Sequence, residues 1–240
     1  MRTIRRSTAA LLVLCLLCLP LAGSAATLKK GSKGDAVQEV QTWLIDLGYL
    51  KDVADGAFGR KTEAAVKAFQ KTIGAKQTGR LTEEQQTRLL VLWGDVTGAM
   101  EGDGPGDEEL AAIYPAGCCR NGDDPGQADY CWRHLEAGRL TQILMMPGLP
   151  DAAVTRAAGR ATELWTEAVY ALFDEWEETH PVVAKEQREI FEEALAEVEP
   201  DLNDAYGPGS PEALRELAFW LEGVCVDRCF DLHTAEGNQG

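Results

Sequence analysis

Residues 31–92 carry three short helical patterns separated by glycine-punctuated turns, and this order constrains the fold more than any other feature of the chain. Val37, Val40, Gln41, Leu44 and Leu47 recur at spacings of three and four, which lays them on one helix face. That predicts a helix from near Asp35 to just before Gly48. Asp35 suits the positive helix start, and Gly48 suits a left-handed cap. Tyr49 and Leu50 then fold back onto the stripe. The loop 51–59 turns at Asp55-Gly56, and its large apolar side chain, Phe58, is expected to plug the core between helices. A second helix follows over residues 60–72, with Ala65, Val66, Phe69 and Ile73 as its stripe. A third starts at Thr82, where Thr82 and Gln85 make a capping box, and Leu81, Leu89, Leu90 and Leu92 supply the apolar side.

The markers along this stretch are Gly31-Ser32-Lys33-Gly34-Asp35-Ala36-Val37, Val40-Gln41 and Leu47-Gly48-Tyr49-Leu50. After them come Asp55-Gly56-Ala57-Phe58-Gly59-Arg60-Lys61-Thr62, Ala68-Phe69-Gln70 and Thr78-Gly79-Arg80-Leu81-Thr82. Taken in order, they resemble the three-helix peptidoglycan-binding module found beside bacterial cell-wall enzymes. The resemblance covers about a quarter of the chain. It implies a wall-polymer ligand and no catalysis by the module. Within it, Gly34, Gly48, Gly56, Phe58, Gly59, Phe69 and Gln70 read as structural markers. Lys51, Asp55, Arg60 and Thr62 are the polar candidates for contacting sugar hydroxyls or stem-peptide groups. For Asp55 and Thr62, the alternative is that they only pin the loop.

The first 26 residues read as a secretion signal. Arg2, Arg5 and Arg6 precede an apolar run over 9–19, and Ala22-Gly23-Ser24-Ala25-Ala26 offers small residues for cleavage. The run is short for a spanning helix, and neither Cys15 nor Cys18 follows the small-residue box that lipidation requires. The expected location is therefore outside the inner membrane, in the periplasm or cell wall, with no membrane span after signal removal.

Charge divides the remainder. Residues 27–98 carry 11 Lys and Arg against 9 Asp and Glu, whereas residues 99–240 carry 9 against 30. So acidic a half repels nucleic acid and anionic lipid, and a cationic protein is its natural partner if the surface is more than solvated. Residues 94–107 are rich in glycine and acid and read as a flexible linker. The expected organisation is a module over 27–93, that linker, and an acidic helical domain over 108–240.

Helices are expected in this domain over 107–114, 128–146, 151–178 and 181–199, with a last one opening after Ser210-Pro211. Val154, Ala158, Ala161, Trp165, Ala168, Leu172 and Trp176 step by threes and fours, widened by Leu164, Val169 and Phe173. Ile190, Phe191, Ala194, Leu195 and Val198 form the next stripe, and Leu214, Leu217, Leu221, Val224 and Cys225 the last. The fold class is all-α: a small three-helix module joined to an acidic, disulfide-stapled bundle.

Five cysteines follow the signal: Cys118, Cys119, Cys131, Cys225 and Cys229. Cys225 and Cys229 share a helix face but lie too far apart to bond each other. They are expected to bond outward to Cys119 and Cys131, leaving Cys118 over. Cys131 and His134 with Cys229 and His233 could instead hold zinc. Export favours disulfides, so no metal or cofactor is expected.

Catalytic spacing is not evident. The three histidines, His134, His180 and His233, come with no nucleophile elbow, zinc-protease helix or phosphate loop, and Glu177-Glu178 and Glu192-Glu193 read as solvated helix faces. The expected function is an exported, non-enzymatic wall binder. The alternatives are a peptidoglycan hydrolase with an unrecognised catalytic domain, or an inhibitor. For the latter, Leu202-Asn203-Asp204-Ala205-Tyr206, Leu214-Arg215, Trp220 and Cys225 are similar to periplasmic domains of the lysozyme-inhibitor type. The Trp-to-Cys spacing departs from that pattern and its Arg-Asp pair is missing.

Overall fold

The computed structural model describes residues 26–99 and 136–237, the side chains of 175, 226 and 228–237 excepted. The first three helices are α1 (Asp35–Asp46), α2 (Arg60–Thr72) and α3 (Glu83–Thr97). After them come α4 (136–144), α5 (Asp151–Thr179), α6 (Pro181–Tyr206) and α7 (Pro211–Gly237). Among the described residues the extended pairings are two isolated bridges, Leu28 with Leu81 and Lys33 with Ala57. The expected helices at 107–114 and in the first part of 128–146 lie outside the described residues, as do Cys118, Cys119 and Cys131 and the side chain of Cys229. Cys225 is fully buried on α7.

Local signals set the helix ends of the module. Thr82 accepts from the Gln85 amide and Gln85 returns the bond to the Thr82 amide, the reciprocal cap the sequence predicts. Gly48 has φ +81, and a Cβ there would stand 3.0 Å from the Ala152 Cβ. Both the backbone and the neighbouring helical bundle therefore call for glycine. Val37, Leu44, Leu47, Phe58, Val66, Phe69, Leu81 and Leu89 close around one another as the module's core.

Three expectations need correction. Residues 94–97, read as the start of the linker, are the last turn of α3, which Gly98 ends at φ +71. Val96 in that turn is fully buried, so packing overrides its glycine- and acid-rich surroundings. Next, α6 runs through Pro200 to Tyr206 instead of ending near Glu199. An interior proline costs a helix about 3 kcal/mol or more. Continuing past it lets Leu202 join Leu195 and Val198 against the core, and Asn203 bonds the Gly207 and Gly209 amides. Finally, Ile190 is 44% exposed, because α6 turns Ala184 and Phe191 inward and leaves Ile190 off that line.

The bundle packs α5 against α7 and α6, with Trp165, Phe173, Phe191 and Leu221 fully buried between them. Phe191 stacks on Trp220 at 6.1 Å and meets Tyr170 edge-on at 5.6 Å. The module's core continues into the bundle's core as one cluster. At the junction, the Thr72 hydroxyl donates to the Gly148 carbonyl at 3.0 Å, and Arg139 approaches Asp95 at 3.6 Å. Arg160 spans the seam: its guanidinium donates to the Asp95 carbonyl of α3 and pairs with Glu136 of α4.

Candidate functional site

Two buried glutamines build the module's two turns in the same way. Gln41, on the apolar stripe of α1, is 2% exposed. Its Nε2 donates to Asp55 Oδ1 at 2.9 Å, the Ala57 carbonyl at 3.1 Å and Thr62 Oγ1 at 3.2 Å. Its Oε1 accepts from the Gly56 amide at 2.8 Å. Gln70, the fully buried counterpart on α2, donates to Thr78 Oγ1, the Arg80 carbonyl and Gln85 Oε1. Its Oε1 accepts from the Gly79 amide at 3.0 Å.

The partners correspond position by position. Asp55 answers to Thr78, Gly56 to Gly79, Ala57 to Arg80, Phe58 to Leu81, and Thr62 to Gln85. Each unit is thus a helix whose glutamine grips the following turn and the first turn of the next helix. A buried amide is costly unless bonded, and each glutamine side chain here has four polar partners within hydrogen-bond distance, three of them sharing its two N–H hydrogens. Gln41→Ala or Gln70→Ala should cost about 2 kcal/mol, since turn groups are left unpaired. A fall in melting temperature of the full chain measures this, and an unchanged value would remove the glutamines from the scaffold.

The four candidate ligand contacts separate on this geometry. Thr62 is 3% exposed and its hydroxyl accepts from Gln41, so it sits inside the scaffold. Asp55 is exposed at its edge, but the Ala57 amide and Gln41 both donate to its Oδ1. Those two bonds, the Ala57 amide foremost, hold its carboxyl below the usual range. Gln41 thereby brings Asp55 and Thr62 together. Lys51 and Arg60 are exposed, and neither has an ion pair among the described residues. Beside them Lys61 pairs with Asp52 at 3.0 Å, which also lowers the Asp52 pKa.

The remaining surface of this end comes from residues 31–34, which lie against 56–58. The Gly31 amide reaches the Phe58 carbonyl at 3.0 Å, Phe58 the Ser32 carbonyl at 2.9 Å, and Gly34 the Gly56 carbonyl at 2.9 Å. Gly56 sits at φ +70, and a Cβ there would meet the Gly34 carbonyl at 3.3 Å. Gly59, by contrast, is extended at φ −91 and requires no glycine on backbone grounds.

The opposite end is covered. α2 carries Arg60 at its start and Thr72 at its finish, about 18 Å apart at helical rise. Thr72, Gly48 and Asp95 all meet residues of the helical bundle or the turn that leads into it. The Tyr49 hydroxyl is enclosed there, and burial pushes its pKa up to about 12. Sequence reading places Gln41 on an apolar stripe and among the ordered markers, without a role for its amide. A polar residue on such a stripe, followed by Asp-Gly, was the available signal for its role.

Residues 33–89 match the family model described as "Putative peptidoglycan binding domain". A chloroplast protein of Arabidopsis thaliana, the protein disulfide isomerase pTAC5, is 37% identical over 67 residues. That match covers 27% of this chain and 17% of the relative. No solved structure matches the chain. No described helix is long and apolar enough to cross a membrane. Residues 33–89 are a three-helix module of the peptidoglycan-binding type.

Proposed function

We propose that this chain is exported and held at peptidoglycan by the open end of its module, with the acidic helical domain carried on the covered end. The observation that supports this most is the match over residues 33–89, on a module whose Gln41-braced turn leaves Lys51 and Arg60 exposed. Peptidoglycan carries stem-peptide carboxylates and sugar hydroxyls, and both suit these two cations as hydrogen-bond donors. Asp55 and Thr62 act on the ligand indirectly, by fixing the loop that presents Lys51 and Arg60.

Co-sedimentation of residues 27–240 with insoluble peptidoglycan tests the reading. The protein should pellet, and the double variant K51E/R60E should bind about tenfold less tightly through two lost charge contacts. Its melting temperature should stay at the wild-type value, since both side chains are exposed. Wild-type protein left in the supernatant would end the anchor proposal. A cleared zone at the protein's mass on a peptidoglycan zymogram would assign hydrolysis in place of simple binding.

Export also carries a disulfide proposal. Cys225, buried on α7, should be found linked to Cys119 or Cys131 in non-reducing peptide maps of protein made in the periplasm. A Cys225–Cys229 link would contradict it.

A further inference from the structure

The solvent face of α6 carries charge that works against the helix. Glu189, Glu193, Glu197 and Asp201 follow one another at i,i+4, and like charges at that spacing destabilise a helix. All eight acidic side chains of α6 are exposed. Its two cations, Lys185 and Arg188, are already committed to Glu189 at 3.8 Å and Asp174 at 2.7 Å.

Apolar surface lies at the head of this ladder. Val182 is 80% exposed and Val183 44% exposed. An open hollow of about 640 Å³ sits between the end of α5 and the start of α6, lined by Glu177, Pro181, Val182, Lys185 and Arg188. One wall is fixed, because the Arg188 guanidinium lies over the Tyr170 and Phe173 rings at 5.4 and 5.6 Å. Val182, Glu186, Glu189, Glu193 and Glu197 step by fours and threes, so Val182, at the rim of the hollow, heads the same helix face as the ladder, while Lys185 and Arg188 line the hollow beside that face.

Charge decides what can cover this face. A second copy would bring the same carboxylates against their own kind. Residues 100–135 of this chain carry eight acidic residues against two basic ones. An anionic lipid surface is repelled as well. We infer that the α5–α6 elbow docks a basic protein segment, which seats an apolar side chain in the hollow against Val182 and lays Lys or Arg along Glu189, Glu193 and Glu197. The ladder from Glu189 to Asp201 is about 18 Å long, the span of roughly five or six extended residues. This inference concerns the helical domain and does not depend on what the module binds.

Fluorescence anisotropy on residues 27–240 tests it, using a labelled synthetic peptide with Lys and Arg flanking a central Leu at physiological salt. The peptide should bind. V182S/V183S, which leaves the charge untouched, should weaken binding about tenfold, the usual scale for an apolar anchor. E193Q/E197Q should weaken it by a similar factor, and M145S, at an exposed methionine elsewhere, should change nothing. Unchanged melting temperatures would confirm that these exposed substitutions leave the fold intact. The inference is overturned if V182S/V183S binds like wild type, since charge alone would then account for the attraction. It is equally overturned if the peptide with Glu in place of Lys and Arg binds as well. Self-association abolished by V182S/V183S, or competition by phosphatidylglycerol vesicles, would assign the face to another occupant and also overturn it.

Discussion

Phe58→Ala is expected to lower the stability of the full chain by about 3–5 kcal/mol, the range for truncating a buried aromatic. Phe58 is 2% exposed, although it lies in a loop between two helices. Its backbone is tied on both sides, the amide to the Ser32 carbonyl and the carbonyl to the Gly31 amide. The loop therefore cannot collapse freely into the space left by the ring, so the cavity term stays high. Leu81, its counterpart in the second turn, is fully buried and bridged to Leu28 in the same manner. Denaturant unfolding of wild type and Phe58→Ala measures the difference. A loss below about 1 kcal/mol would mean that the ring is not a core plug. Phe58→Leu, which fills most of the volume, should restore the greater part.

The module was legible in the sequence because its signals are local. The Thr82–Gln85 cap, the Gly48 stop and the Asp55-Gly56 turn each operate within a few residues, and each appears where its residues predict. The roles of the polar side chains were less legible. Gln41 reaches Asp55, Ala57 and Thr62 across 14 to 21 residues of sequence, a connection that helical periodicity does not encode. Without it, Thr62 stays open between contacting ligand and pinning the loop; with it, the hydroxyl belongs to the scaffold.

The same physics explains the misplaced boundaries. Composition marks Gly94-Asp95 as linker, yet Val96 finds a buried place and Asp95 meets Arg139, so the helix continues. Pro200 is a stop signal by local rule, and the turn beyond it is held by Leu202, which packs only in the folded bundle. Ile190 looks like a stripe member because it adjoins Phe191, but an angular offset of one residue leaves it 44% exposed. In the first two cases a contact distant in sequence outweighs a local preference worth a few kcal/mol.

The junction between module and helical bundle was invisible in the sequence and carries the second large effect. Arg160→Met should destabilise the chain by about 3 kcal/mol at neutral pH. Removing one member of a buried ion pair costs about 3–5 kcal/mol, because the other charge is left without compensation. The lower end applies here, since the Arg160 side chain keeps 19% exposure whereas that of Glu136 keeps 6%. Asp95 on α3, Glu136 and Arg139 on α4, and Glu163 on α5 are the other charges around this seam. Burial holds Glu136 and Asp95 above the usual carboxylate range, with Arg139 opposing the shift in both. A raised carboxylate binds its proton in the folded protein at a pH where the unfolded chain has released it. Its ionisation therefore costs stability as pH rises through the raised value, and that cost is absent below the unfolded value. Without the Arg160 cation the penalty on Asp95 deepens, and the Glu136 carboxylate loses the guanidinium it is bonded to. The gap between wild type and Arg160→Met should accordingly be widest at pH 7 and narrow on acidification toward about pH 5. Arg160→Lys, keeping the charge but losing the fork that bridges Glu136 and the Asp95 carbonyl, should fall between the two. Urea titrations of the three proteins at both pH values provide the measurement. A gap that is independent of pH would assign the loss to packing of the Arg160 stem rather than to the buried charge.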